Sequence, residues 1–105
     1  MGRKINERVG AILSSKEGVV QFLGYGKYLG NLVPETDDVK FFGMSLKEKK
    51  ISNACIQLDS GKKIYGCECW WASEKEVKDI LNGAKEIQTV DIEDYRRECN
   101  EAGVE

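Results

Sequence analysis

Asn53-Ala54-Cys55-Ile56-Gln57-Leu58-Asp59-Ser60-Gly61-Lys62-Lys63-Ile64-Tyr65-Gly66-Cys67-Glu68-Cys69-Trp70-Trp71 is the stretch that decides the fold. Two runs rich in apolar residues, 53–58 and 62–71, flank Asp59-Ser60-Gly61. That triplet fits a three-residue hairpin loop with glycine at its left-handed position. The loop length sets Leu58 opposite Lys62 and Ile56 opposite Ile64, so apolar meets apolar across the pair. Read as one strand, 62–71 places Ile64, Gly66, Glu68 and Trp70 on one face. Tyr65, Cys67, Cys69 and Trp71 fall on the other, which reads as a core face. Glu68 makes the first face at least partly wet. Adjacent tryptophans on a strand point to opposite sides, so Trp71 is assigned to core or interface. Trp70 is left to meet something outside the fold.

Working outward toward the N-terminus, 39–44 reads as a short strand and 45–52 as a basic, solvated loop. Residues 30–38 form a loop with the only proline, Pro34. Further out, 8–14 and 19–29 are two strands joined by a turn at Ser15-Lys16-Glu17-Gly18. Gly24 and Gly26 lie among Phe22, Tyr25 and Tyr28. Glycines there mark either a sharply bent sheet or room for a ligand over the strand.

Toward the C-terminus, Ser73 and Glu76 form a capping box that starts a helix over 74–82, with Val77, Ile80 and Leu81 on one face. Asn82-Gly83 ends it. A strand follows at 85–90, then Asp91 as N-cap of a helix over 92–101. Ile92, Tyr95, Cys99 and Ala102 share its packed face. Arg96 and Asn100 adjoin that face one turn apart, and Arg97 and Glu101 form a second such pair. Strands first, then helix, strand and helix, give an α+β class. The expected architecture is a bent antiparallel β-sheet from two hairpins, with two short C-terminal helices, in a single domain spanning 1–105.

Composition narrows the chemistry. A net charge of −2 with only four arginines disfavours long nucleic acid, so any anion site must be a local cluster. No apolar run approaches the ~20 residues of a membrane span, and the first residues lack the apolar stretch of a signal peptide. A cytoplasmic location is expected. There is no histidine, which removes Ser-His and Cys-His nucleophile pairs and two-histidine metal sites. Cys55, Cys67, Cys69 and Cys99 are expected as reduced thiols. A zinc site would need Cys55 and Cys99 to converge on Cys67-x-Cys69, whose spacing is not the usual one, and buried free thiols are the plainer reading. No metal and no cofactor is expected. Gly24-x-Gly26-x-x-x-Gly30 fails the dinucleotide fingerprint by one residue and continues a strand.

The candidate functional set is aromatic plus guanidinium: Phe22, Tyr25 and Tyr28, Trp70, and Arg96 or Arg97. Aromatic faces stack on bases, and arginine forks grip phosphate oxygens. Glu68 or Asn100 would bond a ribose hydroxyl or a base edge. The structural alternative keeps the aromatics in the core and pairs the arginines with acids such as Glu93 and Glu101.

Arg8-Val9-Gly10-Ala11-Ile12-Leu13, Val20-Gln21-Phe22-Leu23-Gly24-Tyr25-Gly26 and Leu58-Asp59-Ser60-Gly61-Lys62, running into Gly66-Cys67-Glu68-Cys69-Trp70-Trp71, together resemble small bacteriophage proteins. The layout is similar to the phage Thoeris anti-defence sponge family, over roughly residues 8–98. That resemblance implies sequestration, without cleavage, of cyclic ADP-ribose isomers made by TIR-domain defence enzymes; some members also hold cyclic oligonucleotides. It implies an aromatic from the strand part stacking on the base, matched here by Phe22 and by Trp70 or Trp71. It implies arginines of a C-terminal helix on the phosphates, matched by Arg96, with Arg97 as the other choice. Asn100 stands where a second arginine one turn on would complete a clamp. The family's sites lie between protomers, so a homodimer or larger homo-oligomer in the infected host cytoplasm is expected.

The leading expectation is therefore a non-enzymatic binder of a cyclic nucleotide, with Phe22, Tyr25, Glu68, Trp70, Trp71, Arg96, Arg97 and Asn100 as ligand-binding residues. The alternative is a protein-interaction module that blocks a host enzyme through an exposed aromatic patch around Trp70. A third is a phosphodiesterase using acids such as Asp37, Asp38 and Glu68.

Overall fold

Β-hairpins build most of the chain, and a computed structural model describes residues 4–41 and 43–102, the last three of these by backbone alone. Strands β1 (Arg8–Lys16) and β2 (Val19–Leu32) pair antiparallel through a two-residue turn at Glu17 and Gly18, both at positive φ. A small hairpin of β3 (Lys40–Phe41) and β4 (Met44–Ser45) stands apart from the main sheet and leads into α1 (Leu46–Lys49). Then come β5 (Asn53–Leu58), β6 (Lys63–Tyr65), a 3-10 turn (Gly66–Glu68), β7 (Trp70–Ser73), α2 (Glu74–Asn82), β8 (Glu86–Thr89) and α3 (Ile92–Ala102). The class is α+β, with a mostly antiparallel sheet.

The hairpin of β5 and β6 has the register its loop dictates. Ile56 faces Ile64, Leu58 donates its N–H to the Lys62 carbonyl, and Gly61 sits at φ 98°. Beyond Tyr65 the continuous strand expected over 62–71 does not form. The chain turns at Gly66, and β7 pairs with β1 rather than extending β6. In the strand order β6-β5-β2-β1-β7, the two parts of that stretch lie at opposite ends. Four flat strand spacings would separate them by roughly 19 Å. Only residues 66–69 join them, and three of those rise just ~2 Å each in the 3-10 turn. The sheet must therefore curl until its two edges meet.

Gly24 and Gly26 are where the curl happens. Gly24 adopts φ 140° beside the register shift at Ala11 and Ile12. A Cβ on Gly26 would overlap the Gln57 carbonyl oxygen of β5. The space over these glycines is filled by a neighbouring strand, so the bent-sheet reading holds at Gly26 and the ligand-room reading does not. Long β2 serves both halves: its first half pairs with β1 and β8, and its second half with β5.

Three clusters pack this frame. Inside the curl lie Val9, Ala11, Leu23, Ile56, Leu58, Ile64 and Ile92, with Tyr28, Trp71 and Tyr95 against them. On the outer side, α2 covers Ile12, Val20 and Ala72 with Val77, and Phe22, Tyr25 and Leu81 border it. Gly10 lets α2 come close, because a Cβ there would stand 2.9 Å from Val77. A third cluster of Val39, Leu46, Cys55 and Tyr65 lies under the small hairpin and α1.

Several expectations are corrected. Residues 45–52 are not all loop: Ser45 accepts the Glu48 N–H and starts α1, so among the described residues a short helix precedes the two expected C-terminal ones. The single strand expected over 39–44 is a pair, β3 and β4. β8 joins the sheet parallel to β2, so the sheet is not wholly antiparallel. Ile80, assigned to the packed face of its helix, is exposed, and so is Cys99 on α3. The capping box of Ser73 and Glu76 and the cap by Asp91 form as read.

Candidate functional site

The 3-10 turn at Gly66 organises the site. Asn53 Oδ1 accepts the Cys67 N–H at 2.9 Å, tying the turn to β5. Glu68, at the end of the turn, reaches back and accepts the Tyr65 N–H at 3.0 Å. Its carboxylate meets the Arg96 guanidinium edge on: Nε to Oε2 at 2.6 Å and Nη2 to Oε1 at 2.8 Å. Arg96 Nη2 also donates to the Lys63 carbonyl at 3.0 Å. The Glu68 side chain is 3% exposed and that of Arg96 12%. Burial works against the charge on Arg96, but the hydrogen bonds it donates to Glu68 and the nearby negative charge, that of Glu68 first, together outweigh it, so its pKa moves up and the guanidinium stays charged.

Beside this pair is a cavity of about 250 Å³ between three elements. The small hairpin and the turn just before it supply Lys40, Gly43 and Asp38; the 3-10 turn supplies Cys67 and Glu68; α3 supplies Tyr95, Arg96 and Cys99. Its formal charges balance, two cationic against two carboxylate groups. Tyr95 is pushed up to about 12, first by its hydrogen bond with Cys99 and then by burial. The Cys67 thiol is pushed up by burial, helped by the charge of Glu68. Just outside, burial pushes Cys69 up to about 12. These sulfurs are neutral thiols at physiological pH, weak nucleophiles and weak metal ligands.

Of the eight residues expected to bind ligand, the seven with described side chains do not come together in one place. Only Glu68 and Arg96 line this cavity, and they bind each other. Phe22 and Tyr25 meet edge to face at 4.9 Å under α2, on the outer side of the sheet, with Lys78 Nζ 6.0 Å from the Tyr25 ring. Trp70 lies across β1 from them, both it and Phe22 flanking Ile12, and is 50% exposed. Trp71 is inside the curl, stacked on Tyr28 at 5.1 Å and 18°. Arg97 is exposed and ion-paired with Asp94 at 2.5 Å. The Asn100 side chain lies outside the described residues. The shared face proposed for Glu68 and Trp70 does not exist, because the turn at Gly66 interrupts the two-residue period.

Lys40 and Tyr95 line the site and were not singled out for it. Tyr95 was read as core, and Lys40 carried no signal beyond a lysine in an apolar run. Asp38 had been considered only as a hydrolytic acid. Among the described residues, no group of three or more Cys, Asp and Glu is placed to hold a metal ion, and no helix is long and apolar enough to cross a membrane. No protein-family model, curated protein or solved structure matches this chain.

Proposed function

We propose that the protein binds a small nucleotide and leaves its bonds intact, with the site in the cavity between the 3-10 turn, the small hairpin and α3. One observation carries this reading: a pre-oriented guanidinium, a second cation, a carboxylate and an aromatic ring line one cavity. Arg96 spends Nε and Nη2 on Glu68 and Lys63, and its other Nη is the donor left for a phosphate oxygen. Lys40 supplies the second positive charge. Asp38 suits ribose hydroxyls, as a carboxylate does in dinucleotide sites. The Tyr95 ring offers a surface for a base. Balanced charge fits a ligand that is anionic at one end and hydroxyl-rich at the other.

The resemblance to the Thoeris anti-defence sponge family narrows the ligand to a cyclic ADP-ribose isomer, held away from its receptor in the cytoplasm of an infected bacterium. The Cys67 thiol at the site, raised by burial, supports binding without covalent chemistry. A volume of about 250 Å³ is below the 300–1,000 Å³ usual for a whole ligand of drug size, so part of the nucleotide would extend beyond one protomer. A second copy completing the site is the simplest source of the remaining contacts.

Titration calorimetry with cyclic ADP-ribose isomers tests the proposal. Tight binding is expected for the intact protein. Lys40→Ala and Asp38→Asn, both at exposed positions, should each weaken it tenfold or more without changing the fold. Binding that neither substitution alters would place the ligand elsewhere.

A second reading rests on Trp70. A half-exposed tryptophan beside the apolar Ile12, on a strand paired only with β1 among the described residues, suits an anchor for a host protein. A stoichiometric partner lost from a pull-down on Trp70→Ala, with no nucleotide released by heat, would favour it.

A further inference from the structure

The two long helices sit on the sheet differently. α2 is seated tightly: Val77 is fully buried, and the backbone at Gly10 leaves no room for a Cβ beneath it. α3 is not. Of its described side chains only Ile92 is buried, Tyr95 and Arg96 are partly covered, and Glu93, Asp94, Arg97, Glu98 and Cys99 are exposed. Open grooves and one cavity flank it. One of about 350 Å³ lies between its first turn and Leu23, Leu58 and Thr89. Another of about 360 Å³ lies between it and Leu13, Gln21 and Val90. The candidate site is the third.

Past its first turn, the side-chain hydrogen bonds that hold α3 to the sheet among the described residues are those of Arg96, to Glu68 and the Lys63 carbonyl. At its start, Lys62 Nζ pairs with Asp91 Oδ2 at 2.6 Å and Glu93 Oε1 at 3.6 Å, exposed contacts of small worth. The last ladder bond before it is Val90 N–H to the Phe22 carbonyl, so the backbone between Val90 and Asp91 is the natural pivot.

We infer that α3 is a latched lid: it swings about Val90–Asp91 as a unit, with the buried pair of Arg96 and Glu68 as the latch, while the sheet and α2 stay folded. Opening uncovers the Tyr95 side of the candidate cavity and the interior around Tyr28 and Trp71. The latch works because its two halves protect each other. Neither charge is tolerated in that buried place without its partner, so the closed state is all or none. Local opening of a weakly packed terminal unit is the expected behaviour of such a seat.

Hydrogen exchange read by mass spectrometry on the full chain, without ligand, tests this. Amides of α3 from Tyr95 onward should exchange together and at least tenfold faster than those of β1 and β2 around Ala11 and Leu23. Glu68→Gln should speed the α3 set by about a hundredfold and the sheet set by less than threefold. If that variant does not fold, Arg96→Lys, which keeps the charge and removes the fork, carries the same expectation. In a Trp70→Phe background, acrylamide quenching of Trp71 should rise with the same substitutions. Exchange of α3 only at the rate of the sheet, or equal acceleration of both sets, overturns the lid. The measurement needs no ligand, so its failure would leave the binding proposal standing, and failure of calorimetry would leave the lid.

Discussion

Glu68 shows what one residue decides. Its carboxylate is 3% exposed and satisfied by the Tyr65 N–H and two donors of Arg96. Removing one member of such a pair strands the other charge in a largely buried place. Glu68→Ala is expected to cost about 3–5 kcal/mol, read as a lower urea midpoint at unchanged slope. Replacing both residues with apolar ones of similar size should cost much less, since no orphan charge remains. The tryptophans should separate just as clearly. Trp71→Ala empties a place against Tyr28 in the interior and should cost about 3–5 kcal/mol, whereas half-exposed Trp70→Ala should stay within about 1 kcal/mol. Equal losses would contradict the face assignment. The sequence made Trp71 legible as the inner tryptophan and Trp70 as the outer one. It misled about Glu68, because a two-residue period was carried through Gly66, where the chain leaves the strand.

At the scale of elements, features with a local cause were readable and those with a distant cause were not. The loop of Asp59, Ser60 and Gly61 fixed its own register. The capping box of Ser73 and Glu76 fixed where α2 starts, and the Asp91 cap where α3 starts. Ser73→Ala should destabilise by about 1 kcal/mol, since Ser73 Oγ accepts the Glu76 N–H at 3.2 Å. The break after Tyr65 has its partner far upstream, in the Asn53 side chain that accepts the Cys67 N–H. No window around Gly66 contains that information. The parallel pairing of β8 with β2 is equally non-local. Gly26 carries both kinds of signal: its glycine marked a bend, but only the fold shows that Gln57 is what fills the space. Gly26→Ala should therefore open the ladder of β2 and β5, seen as lost amide protection in β5 with β1 retained. A folded variant with unchanged β5 protection would contradict the close crossing.

For the whole molecule, the curl of the sheet puts several acids where their charged forms are disfavoured. Burial raises Cys55, Cys67 and Tyr65 and pushes Cys69 up to about 12; Tyr95 is pushed up to about 12 by Cys99 and burial. Each group holds its proton to higher pH folded than unfolded, so the folded state binds more protons in alkali. Stability is then full below the ordinary thiol range near 9 and falls as pH rises toward 12. Chemical denaturation under reducing conditions should give equal midpoints at pH 7 and 8 and a clearly lower one at pH 10.5. A flat profile would mean these groups are better solvated than the fold implies.

The fold class was legible from the order and spacing of the elements, while the candidate site was legible only in part. Arg96, which lines the candidate cavity, could be singled out because a guanidinium beside a packed helical face is visible in a helical period. Its companions Lys40 and Asp38 come from a hairpin more than fifty residues away, and Tyr95 looked like core. The most direct test of the binding proposal is mass spectrometry of small molecules released by heat from protein exposed to a lysate containing an activated TIR-domain enzyme. An intact cyclic ADP-ribose isomer, released near stoichiometrically and lost with Lys40→Ala, is the predicted result. No nucleotide released, or a cleaved product in its place, would contradict it.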